Sequence, residues 1–128
     1  MPAVVSLPLI ESAGGLLVPA RIRGWYFHVR PEPAVAWSSV SRRVATVLGL
    51  PWEQAERWED MLLLAGGRTR VPIVRAQVEL TTTLPARELD LRVIDQADGS
   101  GVDGTLGADF WRGRRPTFDL ERRRLRVS

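Results

Sequence analysis

The chain has 128 residues, a length that suits a single domain over residues 1–128 with one modest hydrophobic core. All 18 basic residues are arginine and 15 acidic residues offset them, so the net charge of +3 gives little support for nucleic-acid binding. Cysteine is absent and there is one histidine, which excludes disulfides, thiol catalysis and metal sites built from cysteine or several histidines. We therefore expect no metal, no cofactor and no nucleic-acid partner.

The first ten residues are apolar, but they lack a basic leader and are interrupted by Pro2 and Pro8. They do not have the pattern of a signal peptide. No apolar run approaches the roughly 20 residues that a membrane-spanning helix needs. The sequence accordingly predicts a cytoplasmic protein without a membrane partner.

Alternating apolar and polar residues predict strands in the first part of the chain. Residues 4–10 are predicted to form an edge strand, because prolines without an amide hydrogen are tolerated at sheet edges. Residues 16–23 and 25–30 each alternate with a period of two, and the Arg23-Gly24 pair between them predicts a hairpin.

Two helices are predicted after the proline-rich segment 30–35. In the first, Ser38 or Ser39 would cap the N-terminus and Gly49 would end the helix. Its apolar residues follow helical spacing and are Val40, Val44, Val47 and Leu48. The second would begin near Pro51. On one side of this helix would lie Trp52, Ala55 and Trp58. Glu53 would pair with Arg57, four residues later.

A second hairpin is predicted around the Gly66-Gly67 pair. Residues 61–64 enter it, and residues 74–80 leave it with the alternation of a strand. A further strand is predicted at residues 88–93. The whole pattern, about seven or eight short strands with one or two short helices, suits a small, partly closed β-barrel.

Two charged regions admit more than one interpretation. Asp95, Asp98 and Asp103 could suggest a calcium site, but their spacing does not fit a calcium-binding loop, and a solvated turn is favoured. The arginine-rich segments 112–115 and 122–124 could contact phosphate. Acidic residues interleave with them, however, and a charged hairpin is favoured.

Residues 102–110 are the most informative stretch of the sequence. Gly104 and Gly107 bracket a short apolar segment, so the backbone can turn there or pass close to another strand. Residues 108–111 leave room for about one helical turn. Alternation at residues 117–120 then predicts a closing strand.

This stretch resembles the C-terminal half of retropepsin-like aspartic peptidase domains, where Asp-Gly-hydrophobic-Leu-Gly-x-Asp-Phe precedes a short helix and a closing hairpin. The resemblance implies that the following residues form a structural loop: Asp103, Gly104, Leu106, Gly107 and Asp109. The likeness extends over about residues 16–128 and implies a mostly β, partly closed acid-protease barrel. The hairpin tip Ala65-Gly66-Gly67-Arg68 would correspond to the flap that closes over substrate in that family.

The catalytic Asp-Thr/Ser-Gly triplet of such domains occurs nowhere in this sequence. Counting forward from Val29 puts Arg30-Pro31-Glu32 at the triplet, whereas counting back from Ser41 puts Glu32-Pro33-Ala34 there. Neither alignment supplies an aspartate. The mechanism of the family needs two carboxylates, one from each half of the dimer, that share a proton.

A retropepsin-like domain without its triplet is predicted to be a non-catalytic homodimeric module that binds a peptide or protein, or serves as a scaffold. The alternative is an active aspartic-type peptidase that uses Glu32 in an altered loop. The dimer would pair through its terminal strands, with Leu125 and Val127 contributing to an apolar patch shared by both copies.

Overall fold

The computed structural model describes residues 4–13, 15–62, 66–95 and 102–128. Within these residues the chain is mostly β, with eleven strands, two α-helices and a single 3₁₀ turn at Trp52–Gln54. The strands are β1 (Val5–Pro8), β2 (Ile10–Ser12), β3 (Gly15–Ile22), β4 (Trp25–Pro31), β5 (Ser39–Ser41), β6 (Arg57–Leu62), β7 (Arg68–Val78), β8 (Arg87–Ile94), β9 (Gly104–Leu106), β10 (Pro116–Asp119) and β11 (Arg124–Val127). The helices are α1 (Arg42–Val47) and α2 (Ala108–Trp111).

The strands form two sheets. β1, β11 and β10 make a three-stranded antiparallel sheet, and the other eight strands follow the order β2-β3-β4-β9-β5-β8-β7-β6. Two backbone hydrogen bonds, of 2.7 and 3.0 Å, join Arg21 of β3 to Glu79 just after β7. Because these strands are distant in the sheet order, the sheet curls into the partly closed barrel that the sequence predicts.

The core lies on the inner face of the curved sheet. Leu89, Leu91 and Val93 of β8 are buried, and the residues between them are not. Phe110 of α2 is fully buried in the same cluster. Each such side chain contributes about 1.5–3 kcal/mol by leaving water. The period-two alternation read from the sequence is therefore confirmed as a core-facing pattern.

The predicted Arg23-Gly24 hairpin is present between β3 and β4. The two residues have φ angles of 51° and 83°, as tight two-residue hairpin turns require. The Nη1 of Arg23 donates to the carbonyl oxygen of Leu48 at 3.0 Å. This bond ties the hairpin tip to the end of α1.

The first helix begins later than predicted. Residues 39–41 form β5, which is held between β8 and β9. Ser41 is the N-cap of α1, and its Oγ accepts a hydrogen bond from the Val44 amide at 3.1 Å. The predicted caps Ser38 and Ser39 are therefore wrong, because pairing with two neighbouring strands outweighs the local capping signal.

Gly49, with a φ of 68°, follows α1 as predicted, but the second predicted helix is a 3₁₀ turn at Trp52–Gln54 that leads into β6, and not an α-helix. The predicted pairing of Glu53 with Arg57 is wrong, since Arg57 starts β6 and its Nη1 lies 2.9 Å from an Asp90 oxygen. The β6–β7 ladder joins six residue pairs. Such a ladder outweighs the weak intrinsic preference for one further helical turn. No helix in the described part of the chain is long and apolar enough to cross a membrane.

The predicted one-turn helix and closing strand are present as α2 and β10, but the glycine-bracketed segment itself forms the short strand β9, and no separate strand precedes it within residues 102–103. β11 then returns antiparallel to β10 and also pairs with β1. Its apolar residues Leu125 and Val127 are buried in the core of the single chain. Their side chains are thus not available as a dimer patch, and the large apolar side chains exposed on this hairpin are Phe118 and Leu120.

Candidate functional site

The loop that joins β4 to β5, residues 32–38, crosses the segment that joins β9 to α2. At one end of the crossing the Glu32 amide donates to the carbonyl oxygen of Leu106 at 2.9 Å. At the other end, a Cβ placed on Gly107 would lie 2.4 Å from the carbonyl oxygen of Trp37. Only glycine allows the two backbones to approach this closely.

Asp109, at the start of α2, holds the end of the 32–38 loop. The Ser38 hydroxyl donates to its Oδ1 at 2.6 Å, and the Ser38 amide donates to its Oδ2 at 3.2 Å. The Gly107 amide in turn donates to the Ser38 hydroxyl at 2.9 Å. Ser38 is completely buried, so these bonds are shielded from water and fix the loop firmly.

Asp103 joins β4 to the region where α1 begins. Its Oδ2 accepts from the His28 amide at 3.0 Å, and its Oδ1 accepts from Nη2 of Arg43 at 3.0 Å. A Cβ on the next residue, Gly104, would lie 2.3 Å from the carbonyl oxygen of Ser39. The residues predicted to form a structural loop therefore brace the two strands on either side of the 32–38 loop.

The residues predicted at the missing triplet form a turn fixed by proline. Pro31 ends β4, and Glu32 is the first residue beyond the strand. The Val35 amide donates to the carbonyl oxygen of Glu32 at 3.0 Å, with Pro33 at the second position of the turn, where proline is favoured. The Arg30 Nε lies 3.5 Å from Glu32 Oε1, and the two side chains are 33% and 34% exposed. The carboxylate of the turn is thus matched by a cation of the preceding strand.

Arg30 projects from the face of the sheet that lies opposite the core. The strand register pairs Arg30 with Thr105, Thr105 with Ser39, and Ser39 with Arg92. Residues paired in this way project from the same face. Residues that alternate with them along the strands belong to the core cluster. We call these four residues the polar face.

Arg92 links the polar face to β6. Its Nε and Nη2 donate to the two carboxylate oxygens of Glu59 at 2.9 and 2.8 Å, and its guanidinium lies 5.2 Å from the ring centroid of Trp37. The Arg92 side chain is only 13% exposed. A two-pronged, poorly hydrated ion pair of this kind is stronger than a typical surface pair. We call this arrangement the Trp37–Arg92–Glu59 stack.

The stack is the part of the site that sequence reasoning misses. Glu59 lies 33 residues from Arg92, and the sequence predicts a helix that runs as far as Trp58. The available signal is the outward position of Arg92 on a strand whose inward residues are apolar. That signal does not identify the partner.

The glycine hairpin is present, with β6 and β7 as its strands. Gly66 has a φ of 87° and Arg68 begins β7, whereas Ala65 lies outside the described residues. Within the described part of the hairpin, no hydrogen bond or ion pair joins Gly66, Gly67 or Arg68 to Glu32. The connection between the hairpin and the 32–38 loop runs through the Trp37–Arg92–Glu59 stack.

Beside the stack, Asp90 is bridged by two arginines. Nη1 of Arg57 lies 2.9 Å from one of its carboxylate oxygens, and Nη1 of Arg75 lies 3.1 Å from the other. The hydrogen bond from Arg57 is the largest influence that holds the pKa of the Asp90 carboxyl below its ordinary value. The hydrogen bond to Glu88 is the largest influence that raises the pKa of Arg75.

The acidic residues of the 95–103 region are engaged by arginine where they are described. Asp95 lies 3.8 Å from Nη1 of Arg42, and Asp103 pairs with Arg43. Asp98 lies outside the described residues. Among the residues that are described, no group of three or more histidine, aspartate or glutamate side chains could hold a metal ion.

The fold is similar to solved retropepsin-like structures. One is a retropepsin-like aspartic protease from Rickettsia conorii, with a TM-score of 0.69 and 12% identity over 98% of this chain and 91% of that chain. Another is the retroviral protease-like domain of Ddi1 from Leishmania major, with a TM-score of 0.54 and 15% identity over 91% of this chain and 84% of that chain. The sequence matches no protein-family model and no curated protein. At these identities the likeness extends to the fold, which is retropepsin-like.

Proposed function

We propose that this retropepsin-like fold binds an extended peptide or a protein segment without cleaving it, and that it does so as a homodimer. The observation that carries the proposal is the Arg30–Glu32 ion pair, which lies at a turn that follows Pro31 and has Pro33 at its second position. The family resemblance implies the Asp-Thr/Ser-Gly triplet at this turn.

The chemistry of the turn argues against cleavage. Peptide hydrolysis in this family needs two carboxyl groups that share a proton, so that one acts as base on water and the other as acid. Arg30 instead supplies a cation 3.5 Å from Glu32. Pro33 and Ala34 lack the hydroxyl and the glycine backbone that orient the catalytic aspartates. Displacing a single catalytic group costs about 10²-fold or more in rate, and here several are replaced together.

The surroundings of the turn favour binding. The Trp37–Arg92–Glu59 stack and the Ser38–Asp109 bonds hold the 32–38 loop in one geometry. A surface that is already ordered loses little conformational entropy when a ligand binds. One copy supplies one wall of a groove, and a two-fold partner would supply the second wall from the same residues.

The alternative function is an aspartic-type peptidase that uses Glu32. It is favoured by the position of Glu32, which directly follows β4 and has a partly exposed side chain. In that case two copies of Glu32 would have to meet at the dimer centre and release Arg30.

The test is incubation of the natural chain with a diverse peptide library from acidic to neutral pH, beside the variants Glu32→Ala and Glu121→Ala. Glu121 is an exposed glutamate on the turn between β10 and β11 and serves as the matched control. We expect no cleavage by any of the three, and retention of the same peptides by all three on an affinity support. Specific cleavage that disappears in Glu32→Ala and persists in Glu121→Ala would establish the alternative instead.

A further inference from the structure

Three arginines gather beside helix α2. Arg87 lies at the start of β8, and Arg112 and Arg114 directly follow the helix; we call these three residues the arginine corner. Among the described residues, no aspartate or glutamate pairs with any of them. The arginines of the neighbouring strands differ, since Arg75 and Arg92 are each matched by a carboxylate.

Carbonyl oxygens hold the guanidinium groups of Arg87 and Arg114. Nη1 of Arg87 donates to the carbonyl oxygens of Phe110 and Arg112, each at 2.7 Å. Arg114 donates to the carbonyl oxygen of Pro85 and lies 4.7 Å from the ring centroid of Phe110. Carbonyl oxygens orient a guanidinium, but they carry no net charge to neutralise it. Burial, followed by the charge of Arg87, lowers the pKa of Arg114, so the two charges are close enough to repel each other.

Arg87 and Arg112 face a cavity of about 390 Å³ that is also lined by Ala36 and Trp37 of the 32–38 loop. The same cavity therefore borders the loop on which the proposed binding function rests. A ligand that lies along the loop would reach the arginine corner without crossing the body of the protein.

The carboxylates that line the cavity already have ion-pair or hydrogen-bond partners within the chain. Its lining contains Glu88, Asp90 and Asp109. The first two pair with Arg75, and Asp109 accepts hydrogen bonds from Ser38 and the Phe110 amide. Each carboxylate is thus satisfied within the chain. The donors to Asp109 are neutral, so its negative charge offsets one of the two cations Arg87 and Arg112, and the net charge that remains in the cavity is positive.

We propose that the arginine corner binds acidic side chains of a peptide that lies along the 32–38 loop, so that the ligand of this fold is an acidic peptide segment. This inference rests on the proposed function. A guanidinium with free N–H groups matches a carboxylate in charge and in geometry. A nucleic-acid strand fits less well, because the carboxylates of Glu88 and Asp90 interrupt the basic surface that a run of phosphates would follow.

The test uses fluorescein-labelled nine-residue peptides that are identical except at one position, which carries glutamate in one peptide and glutamine in its twin. We expect the glutamate peptide to bind the natural chain about tenfold more tightly than its twin, as charge-assisted hydrogen bonds allow. Arg112→Glu is expected to abolish this preference, so that the glutamate peptide no longer binds more tightly than its twin. The Arg112 side chain makes no contact that holds the fold among the described residues, and circular dichroism verifies folding. Arg122→Glu, an equal charge change on the exposed turn before β11, should preserve the preference.

Each other outcome has a distinct meaning. Equal binding of the two peptides, or a preference that survives in Arg112→Glu, would overturn the acidic-ligand inference alone. Failure of every peptide to bind would overturn the proposed function together with this inference. Tighter binding of a nine-nucleotide single-stranded oligonucleotide than of the glutamate peptide would assign the corner to nucleic acid and overturn the peptide assignment.

Discussion

Replacing Arg92 by alanine should destabilise the protein far more than the same replacement at Arg57. The two residues are aligned across the sheet, because each pairs in register with Ile73 of β7, and each holds a carboxylate. Their side chains differ in exposure, at 13% for Arg92 and 61% for Arg57. This matched pair isolates the effect of burial on an ion pair.

The expected magnitudes follow from the contacts. Breaking a fully buried ion pair costs about 3–5 kcal/mol, and breaking an exposed one costs about 0.2–1 kcal/mol. Arg92 is nearly buried, but the side chain of its partner Glu59 is 39% exposed, so an intermediate loss applies. Loss of the contact with Trp37 adds about 0.5–1 kcal/mol. We expect Arg92→Ala to reduce the free energy of unfolding by about 2–3 kcal/mol. Arg57→Ala should cost less than about 1 kcal/mol, because Arg75 still pairs with Asp90.

The assay is urea unfolding followed by tryptophan fluorescence, at low salt and at high salt. Screening should weaken the exposed Arg57 pair more than the buried Arg92 pair, so the gap between the variants should persist at high salt. A double-mutant cycle with Glu59→Ala then measures the coupling between Arg92 and Glu59. Equal losses for the two variants, or a loss below about 1 kcal/mol for Arg92→Ala, would refute the reasoning.

Gly107→Ala should lower the free energy of unfolding by about 1–3 kcal/mol, because its Cβ would lie 2.4 Å from the carbonyl oxygen of Trp37, and an unchanged urea midpoint would contradict this. Because the pKa of Asp90 is lowered in the folded protein, its ionised carboxylate stabilises the fold fully at pH values above the ordinary aspartate pKa of about 3.9. That contribution is lost as the pH falls through the lower folded-state pKa. Asp90→Asn should accordingly reduce the loss of unfolding free energy that the natural chain shows as the pH becomes acidic. An unchanged loss would count against the ion-pair assignment. Light scattering at high micromolar concentration is expected to give about twice the 14.3 kDa of one chain, and a monomer mass would remove the homodimer from the proposed function.

Much of the β framework could be predicted from the sequence because it depends on local patterns. The alternation of apolar and polar residues predicts β3, β4 and β8, since one face of each strand must be apolar. The Arg23-Gly24 turn follows from its position between two alternating runs. The segment from Gly104 to Trp111 was predictable because its glycines allow backbone approaches that other residues forbid.

The remainder depends on pairs that are distant along the chain. Ser39 has the local character of a helix cap, but β8 and β9 fix it in a strand. Arg92 has the character of a solvated strand residue, but folding brings it to Glu59 and Trp37. Periodic patterns in the sequence do not predict contacts between residues this far apart, so the Trp37–Arg92–Glu59 stack is seen only in the three-dimensional structure.

The terminal sheet has a consequence for how the protein is made. β11 lies between β1 and β10, and Arg124 donates to the Ser6 hydroxyl 118 residues earlier in the chain. During synthesis, the side chain of Leu7 therefore has no strand partner until Leu125 has been made and has left the ribosome. Such distant pairing slows folding, because a large loop must close before any contact compensates for the lost entropy. β1 thus stays unpaired until β11 has been made, and the three-stranded sheet forms only after the strands that lie between them in the sequence.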